Sequence, residues 1–367
     1  MKKWIFIILF IPVVCYSQNI LKESNYKSIY VRTGIVFQNW KIDGVDNRVA
    51  EASFPFFLNL PVRNNANLQI SHTPAISRYS EIELSGLSDT WIRGNYQLFS
   101  NRLLLSAGVG LPTGKTELNE SESVLSSMLS QNVFKFRLPV FGQGLTFSTG
   151  CAYAYPINKK IVLGIGGNYV MRGEYKFLED MESSFNPGDQ VGMNLGYSHD
   201  LTNSMRLNVD FMVTHYFKDQ MNDKEIFGAG QKFGSTVGFL YKGLKRIFYV
   251  EGRFRKSGRN ETWNGIALIT ESKNSNIIQM EMDAVYRIHL SDLLSIDLLF
   301  EGRSYIENEY NIGQADIVGG GLGNTIRFNS NFQLYMAFKI LTGDAYYANN
   351  VPMYNGSEFT INSIYRF

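Results

Sequence analysis

The chain has 367 residues, of which 44% are hydrophobic, 14% aromatic and 19% charged, and its formal net charge at pH 7 is +2. Its 26 Phe and 21 Tyr supply enough apolar area to exclude a disordered chain, and two cysteines exclude a disulfide-stapled mini-protein. The single long apolar run, near the N-terminus, is too short for a membrane-spanning helix. Two fold classes remain for a chain of this length and composition: a protein of two soluble domains, or one large β-architecture.

The N-terminus has the three parts of a secretory signal peptide. Two lysines precede the apolar run Trp4–Val14, and small or polar residues follow it. We predict a signal peptide over 1–17, cleaved after Ser17, and a short periplasmic segment over 18–27.

A lipoprotein, with lipid attached to Cys15, is the alternative, but Val14 is not the small residue that such processing prefers. Cleavage after Ser17 removes two lysines and no acid, so the 35 basic side chains fall to 33 and balance the 33 acids. The charge of the remaining chain therefore indicates no nucleic-acid partner.

From residue 28 onwards, hydrophobic and polar residues alternate, which is the period-2 pattern of β-strands. The runs exceed the usual strand of about 5–6 residues and match the roughly 9–11 that a tilted strand needs to cross a bilayer. The predicted strands are 28–40, 51–62, 67–77, 88–99, 102–111, 143–155, 159–172, 189–199, 204–216, 231–242, 245–256, 276–289, 293–306, 315–328, 331–342 and 356–367.

Short and long connections alternate between these strands. Outer-membrane barrels show the same alternation, with short periplasmic turns and long outside loops. We therefore predict an all-β fold over 28–367, a transmembrane antiparallel up-and-down β-barrel of about sixteen strands. Pro55, Pro61 and Pro74 make strands two and three the least secure, so fourteen or twelve strands remain alternatives. A soluble β-sandwich is disfavoured, because charged residues lie opposite apolar ones over the whole chain and no second class of element is available to cover these faces.

Aromatic and aliphatic residues occupy alternate positions up to the last residue, Phe367. This ending resembles the C-terminal recognition signal of bacterial outer-membrane barrels, which the barrel-assembly machinery reads. We predict that Tyr365 and Phe367 form this assembly signal.

Charged residues occupy the strand face opposite the apolar one. An Arg or Lys facing lipid at the membrane midplane costs roughly 2–4 kcal/mol, so we expect these residues to face the lumen. They would either line a solute path or form cross-strand ion pairs that fill a closed lumen. Their mixed sign argues against strong ion selectivity. The predicted lumen-lining residues are Arg32, Arg93, Arg172, Arg206, Asp210, Glu251, Arg253, Arg255, Glu281, Asp283, Arg287, Asp297, Glu301, Arg303, Arg327 and Lys339.

The longest connection, 112–142, predicts a short helix, capped by Ser121 or Ser123, and a small hairpin over 134–138. The connection either folds inward and constricts the pore or remains outside as a cap. The apolar residues at helical spacing, which define the predicted constriction segment, are Val124, Leu125, Met128 and Leu129.

No motif predicts catalysis, a metal or a cofactor. The four histidines have no metal-ligand spacing, and no Ser–His pair occurs in a recognisable local context. The glycines of Gly319–Gly323 lie inside a strand pattern, where they predict a bend or room for something in the lumen. We therefore expect no enzyme, and the short segment before the first strand predicts no plugged, energy-coupled receptor.

The segment Gly86–Thr90 and the strand end Leu111–Gly114 resemble a family of outer-membrane transporter-like barrels named for the MetA pathway of phenol degradation. That family shares a Gly-Leu-Gly-Asp strand start, in which Ser88 replaces the second Gly here, and a Leu-Pro-Thr-Gly strand end. The resemblance is specific over 50–115. It implies an outer-membrane barrel and passage of hydrophobic or aromatic small molecules, without catalytic residues. The Ser-Gln after the signal is similar to Bacteroidetes-type exported proteins.

These patterns together predict a passive channel or transporter for small solutes in the outer membrane of a Gram-negative bacterium. The expected partners are outer-membrane lipid and lipopolysaccharide, the barrel-assembly machinery and a small-molecule solute. The oligomeric state stays open. The alternatives are a non-conducting structural or surface-interaction barrel and, third, an outer-membrane lipid enzyme.

Overall fold

The computed structural model describes residues 28–44, 48–131, 133–136, 142–346 and 352–367, which form a closed antiparallel β-barrel of 16 strands. The predicted signal peptide and the segment 18–27 lie outside the described residues. The barrel strands are β1 (Tyr30–Ile42), β2 (Arg48–Ser53 and Phe56–Arg63), β3 (Ala66–His72 and Ala75–Tyr79), β4 (Ile82–Gly86 and Thr90–Leu98), β5 (Leu103–Leu111), β6 (Thr146–Pro156), β7 (Ile161–Met171), β8 (Gln190–Thr202), β9 (Met205–Tyr216), β10 (Lys232–Lys242), β11 (Arg246–Ser257), β12 (Ile278–His289), β13 (Leu294–Ile306), β14 (Gln314–Arg327), β15 (Phe332–Tyr346) and β16 (Met353–Arg366).

The barrel closes because β1 pairs with β16 along their full length, from Tyr30 opposite Arg366 to Ile42 opposite Tyr354. Each of the other strands pairs with its neighbours in chain order. Tyr30 and Arg366 therefore lie at the same end, which we call the terminal end; the other is the loop end. Among the described residues, no helix has the length and apolar character needed to cross a membrane.

Strands β2, β3 and β4 are each interrupted once, and the interruptions lie side by side. Pro55 and Pro74, which lack an N–H donor, stand at two of them. The sheet continues across the interruption because Phe54 N–H donates to the Pro74 carbonyl at 2.8 Å. Pro61 lies beside a register shift that ends at Arg63. The prolines thus bend strands two and three without removing them, so the barrel has sixteen strands.

The two faces of the wall differ as the alternation predicts. The outward face exposes large apolar side chains, and Leu195, Phe211, Leu322 and Ile340 are all more than half exposed. Inner-face residues of β13–β16 are mostly buried, although they are polar or charged. A soluble protein would bury the apolar face instead, so the arrangement is inside out.

The predicted helix forms as α1 (Glu120–Leu129), but the predicted cap is wrong. Asn119, not a serine, caps it: its side chain accepts the Glu122 N–H at 2.9 Å, and the Glu122 carboxylate accepts the Asn119 N–H at 3.0 Å. A serine could not cap the helix, because the serines lie inside its first turn. Of the predicted hairpin, the described part 134–136 is the end of a turn followed by irregular chain, and 137–138 lie outside the described residues.

The loop end carries a small second sheet, which we call the loop sheet. Its strands come from the connections after β7, β9 and β11, which the sequence predicted only as loops. They are too short to show a clear alternation. The five strands are Phe185–Asn186, Lys218–Met221, Lys224–Gly228, Glu261–Trp263 and Leu268–Thr270.

Candidate pore interior

The strand register places the predicted lumen-lining residues on the inner face of the barrel. Neighbouring strands bring opposite charges into direct register: Arg253 pairs with Glu281, and Glu281 pairs in turn with Arg303. Lys339 and Glu358 are likewise register partners. Arg32, Arg93, Arg172, Arg206 and Asp210 lie elsewhere on the inner wall, away from this group.

The charges on β11–β16 form two groups of ion pairs that Lys135 joins into one network, since its Nζ contacts both Glu281 and Glu301; we call these charges on β11–β16 the ion ladder. Its centre is Glu301, whose carboxylate lies 2.8 Å from Arg303 Nε and 2.9 Å from Lys339 Nζ. Glu301 is 4% exposed, so these contacts are hardly screened by water. The members of the ion ladder are Glu251, Arg253, Glu281, Glu301, Arg303, Lys339 and Glu358.

Glycines on β14 allow the ion ladder to pass from β13 to β15. Gly321 is the register partner of Lys339, and a Cβ on Gly321 would lie 2.8 Å from Lys339 Cγ. Without a side chain there, Lys339 crosses over β14 to reach Glu301, and its Nζ also lies 3.1 Å from Glu358. The room in the lumen that the glycine cluster predicts is thus used by a lysine of the next strand.

The long connection 112–142, which we call the inserted segment, enters the barrel. Lys135 Nζ lies 3.0 Å from Glu301 and 3.1 Å from Glu281, and Arg303 Nη1 donates to the Val133 carbonyl at 2.6 Å. Since these partners lie on the inner face, residues 133–136 lie inside the barrel. The outside-cap alternative does not describe this part of the segment.

An aromatic cluster holds the same stretch from its other side. Phe134 is 1% exposed, and its ring centroid lies 5.5 Å from Trp40 and 5.4 Å from Tyr354 in edge-on arrangements. Ile317 and Leu341 complete the buried cluster. Such packing of an aromatic residue stabilises the attachment beyond the area it buries.

Helix α1 lies against a neighbouring part of the wall, formed by β2–β4. Leu125 and Leu129, two of the predicted constriction residues, are buried against Val49, Ala75 and Leu84 on the inner face of β2–β4. The other two, Met128 and Val124, are partly buried and exposed, respectively. The inserted segment is therefore attached to two adjoining parts of the wall, one on β2–β4 and one on β1 and β13–β16.

Asp89 connects the two ends of the inserted segment. Its carboxylate accepts the N–H of Gly114 at 3.4 Å and of Gln143 at 3.1 Å. One carboxylate thus holds both the start and the end of the segment beside β4, which limits the ways in which it can leave the barrel.

The inner wall on β7–β9 is solvent-accessible, in contrast to β13–β16. Asn168, Asn194, Asp210 and Met212 all face inward and are exposed, Met212 by 42%. The amide of Asn194 occupies the space that a side chain on Gly166 of the neighbouring strand would take, and that of Asn168 does the same at Gly192. We call β7–β9 the open side of the lumen and β13–β16 its filled side.

The sequence analysis missed several inner-face residues. Lys232 and Glu358 follow the same alternation as the predicted residues and could have been found by it. Lys135 could not, because an irregular loop has no register that predicts its partners.

A Ser–His pair was also missed. His289 Nδ1 lies 2.7 Å from Ser295 Oγ, since the two are register partners across a hairpin. Asp297, the nearest carboxylate in register, is held by Arg287 through two hydrogen bonds of 2.7 Å. No described carboxylate is hydrogen-bonded to His289, so a catalytic triad is not assembled there.

Electrostatics at the loop end depend on burial and on backbone amides. Burial raises the pKa of Asp219, while the Gly188 N–H and the Arg172 guanidinium lower it. The Asn274 N–H, with Arg259, holds the pKa of Glu309 below its usual value. These contacts link neighbouring loops to one another at the loop end.

No protein-family model matches the chain, and no curated protein sequence matches it. Among solved structures it is similar to CdiB from Acinetobacter baumannii, with a TM-score of 0.54 and 11% identity over 91% of this chain and 60% of that one. OprD of Pseudomonas aeruginosa has a TM-score of 0.46 and 11% identity over 93% of this chain and 94% of OprD. An outer membrane channel from Pseudomonas putida F1 has a TM-score of 0.39 and 10% identity over 94% of this chain and 99% of that one. The likeness to CdiB shows the barrel fold alone. The family resemblance over 50–115 stays a prediction.

Proposed function

We propose that the protein is a passive channel of the Gram-negative outer membrane, through which small solutes diffuse along the open side of the lumen. The contrast between exposed inner-face residues such as Asn194 and Asp210 and the buried filled side carries this proposal. The apolar outward face supports the membrane setting, because only lipid would cover it favourably.

The inserted segment is proposed to be the constriction. Its attachments at Lys135, Phe134 and α1 leave solute the space beside β7–β9. A segment held by buried ion pairs and an aromatic cluster acts as a fixed restriction of the lumen, unlike a loop attached only by its ends.

The proposed solute is small and combines polar with apolar surface. On the open side, Met212 stands in register with Asn194, so a thioether and an amide lie next to each other. This pairing suits a molecule with an apolar ring and a polar substituent, which agrees with the aromatic solutes that the family resemblance implies.

A non-conducting barrel is the second candidate, and the burial of the ion ladder favours it, because buried ion pairs occupy the lumen beside the filled side. Single-channel conductance in planar bilayers separates the two. The proposal expects discrete current steps from protein that shows heat-modifiable gel mobility, which reports a folded barrel. Folded protein that stays silent at all voltages would establish the second candidate.

The remaining partners are proposals as well. The rings of Tyr365 and Phe367 lie 4.7 Å apart, and both residues are exposed. Their outward position makes them available to the barrel-assembly machinery. Lipopolysaccharide and phospholipid are proposed to cover the outward face.

A further inference from the structure

Lys232 is a buried cation on the inner face of the barrel. It is the first residue of β10, is 9% exposed, and lies between Thr214 of β9 and Ser257 of β11 in the strand register. Its ammonium makes no hydrogen bond or ion pair with any residue that the structure describes. Burial of an unpaired ammonium is unfavourable, so this position needs an explanation.

Arg255 is a charged neighbour of Lys232, and it too is a cation. It lies two residues before Ser257 on the inner face of β11. The acid within its reach is Glu281, at 3.7 Å, but Glu281 is closer to Lys135 at 3.1 Å and to Arg253 at 3.2 Å. Little of this one negative charge therefore remains to compensate Arg255.

A further polar group faces the same place. Gln279 is the register partner of Arg255 and is 9% exposed, and its amide N–H is a further donor on this part of the wall. Two hydroxyl residues, Thr214 and Ser257, flank Lys232. Two cations, an amide and two hydroxyl residues thus lie close together in the strand register, and no described acid pairs with Lys232.

We infer that Lys232 and Arg255 bind the carboxylate or phosphate group of the solute near the loop end of the lumen. The inference rests on the proposed channel function and adds the class of solute. An oxyanion would compensate both cations, and charge-assisted hydrogen bonds to it are the stronger kind. The mixed charges of the wall do not oppose this, because the acids of the ion ladder already have basic partners.

The test measures binding of sodium benzoate, of inorganic phosphate and of neutral benzyl alcohol to the detergent-solubilised full chain by isothermal titration calorimetry. Lys232→Gln and Arg255→Gln each remove one site cation. Lys256→Gln is the matched control, because Lys256 is exposed on the outward face, next to Arg255. We expect either site variant to weaken anion binding about tenfold, as loss of one charge-assisted bond predicts, while the control binds like the parent.

Binding of benzoate alone assigns a carboxylate, and binding of phosphate alone assigns a phosphate. Equal affinity in Lys232→Gln and Lys256→Gln, or benzyl alcohol binding as tightly as benzoate, would overturn the inference. Thermal unfolding provides a second readout: without anion, Lys232→Gln should be at least as stable as the parent, and only the parent should gain stability from the anion.

The outcomes also separate the inference from the channel function. A barrel that conducts no current but binds anions at Lys232 would support the anion site and contradict the channel function. A barrel that conducts current but binds no anion would support the channel function and contradict the anion site.

Discussion

At the scale of single residues, strand register decides where each charge lies. In a strand, a shift of one residue would move every charge of the ion ladder from lumen to lipid, so alternation alone predicts the inward face. Alternation does not predict the partners: Gln38 donates to Glu358 at 2.8 Å across 320 residues of sequence, because the barrel closes there. The ion pairs of Lys135 could not be predicted for a similar reason, since its partners Glu281 and Glu301 lie on strands distant in the sequence.

The ion ladder predicts a large effect of one substitution. Glu301→Gln removes the charge that Arg303, Lys339 and Lys135 share and leaves the buried Arg303 without an ion pair among the described residues. We expect a loss of about 3–5 kcal/mol in the free energy of unfolding, measured by urea titration in detergent or lipid.

The control for Glu301→Gln is Glu83→Gln, which removes a carboxylate from the exposed pair with Arg78 at 2.6 Å. An exposed pair contributes about 0–1 kcal/mol, so this variant should unfold almost like the parent. Equal losses in the two variants would contradict the buried, interdependent ion ladder.

At the scale of elements, the sequence predicted that the strands and the helix form, but not what they pack against. The spacing of Leu125 and Leu129 marks an apolar helix face, which is a local property and predicted α1. What that face packs against depends on β2–β4, and nothing in the segment itself contains this information. Pro55 and Pro74 were correctly read as unfavourable in regular strands, but the neighbouring strands compensate for them by pairing across the bend.

Deletion of the inserted segment tests the constriction. Replacing 119–136 with a short Gly-Ser linker removes α1, Phe134 and Lys135 together and should raise single-channel conductance severalfold, because the lumen beside the filled side becomes free. The comparison requires heat-modifiable mobility equal to that of the parent. A folded variant with unchanged conductance would show that the segment does not narrow the path.

At the scale of the whole molecule, the composition predicted the inside-out barrel but not the division of its lumen. The aromatic and aliphatic excess faces outward, and the small fraction of charge lies in the interior and the loops. The division arises because the inserted segment packs against the filled side. That packing involves residues from both ends of the chain, such as Trp40 and Tyr354, and no local pattern contains it.

The central claim is that solute moves along the open side, and cysteine accessibility tests it most directly. Cys151 is the exposed thiol among the described residues, so Cys151→Ser is the background for Asn194→Cys on the open side. The controls are Ala337→Cys, buried on the filled side, and Leu195→Cys, on the outward face. The measurement is single-channel conductance before and after a charged, membrane-impermeant methanethiosulfonate. The account predicts that conductance falls by about half or more in Asn194→Cys and is unchanged in both controls. Unchanged conductance in Asn194→Cys, with labelling verified by mass spectrometry, would contradict it.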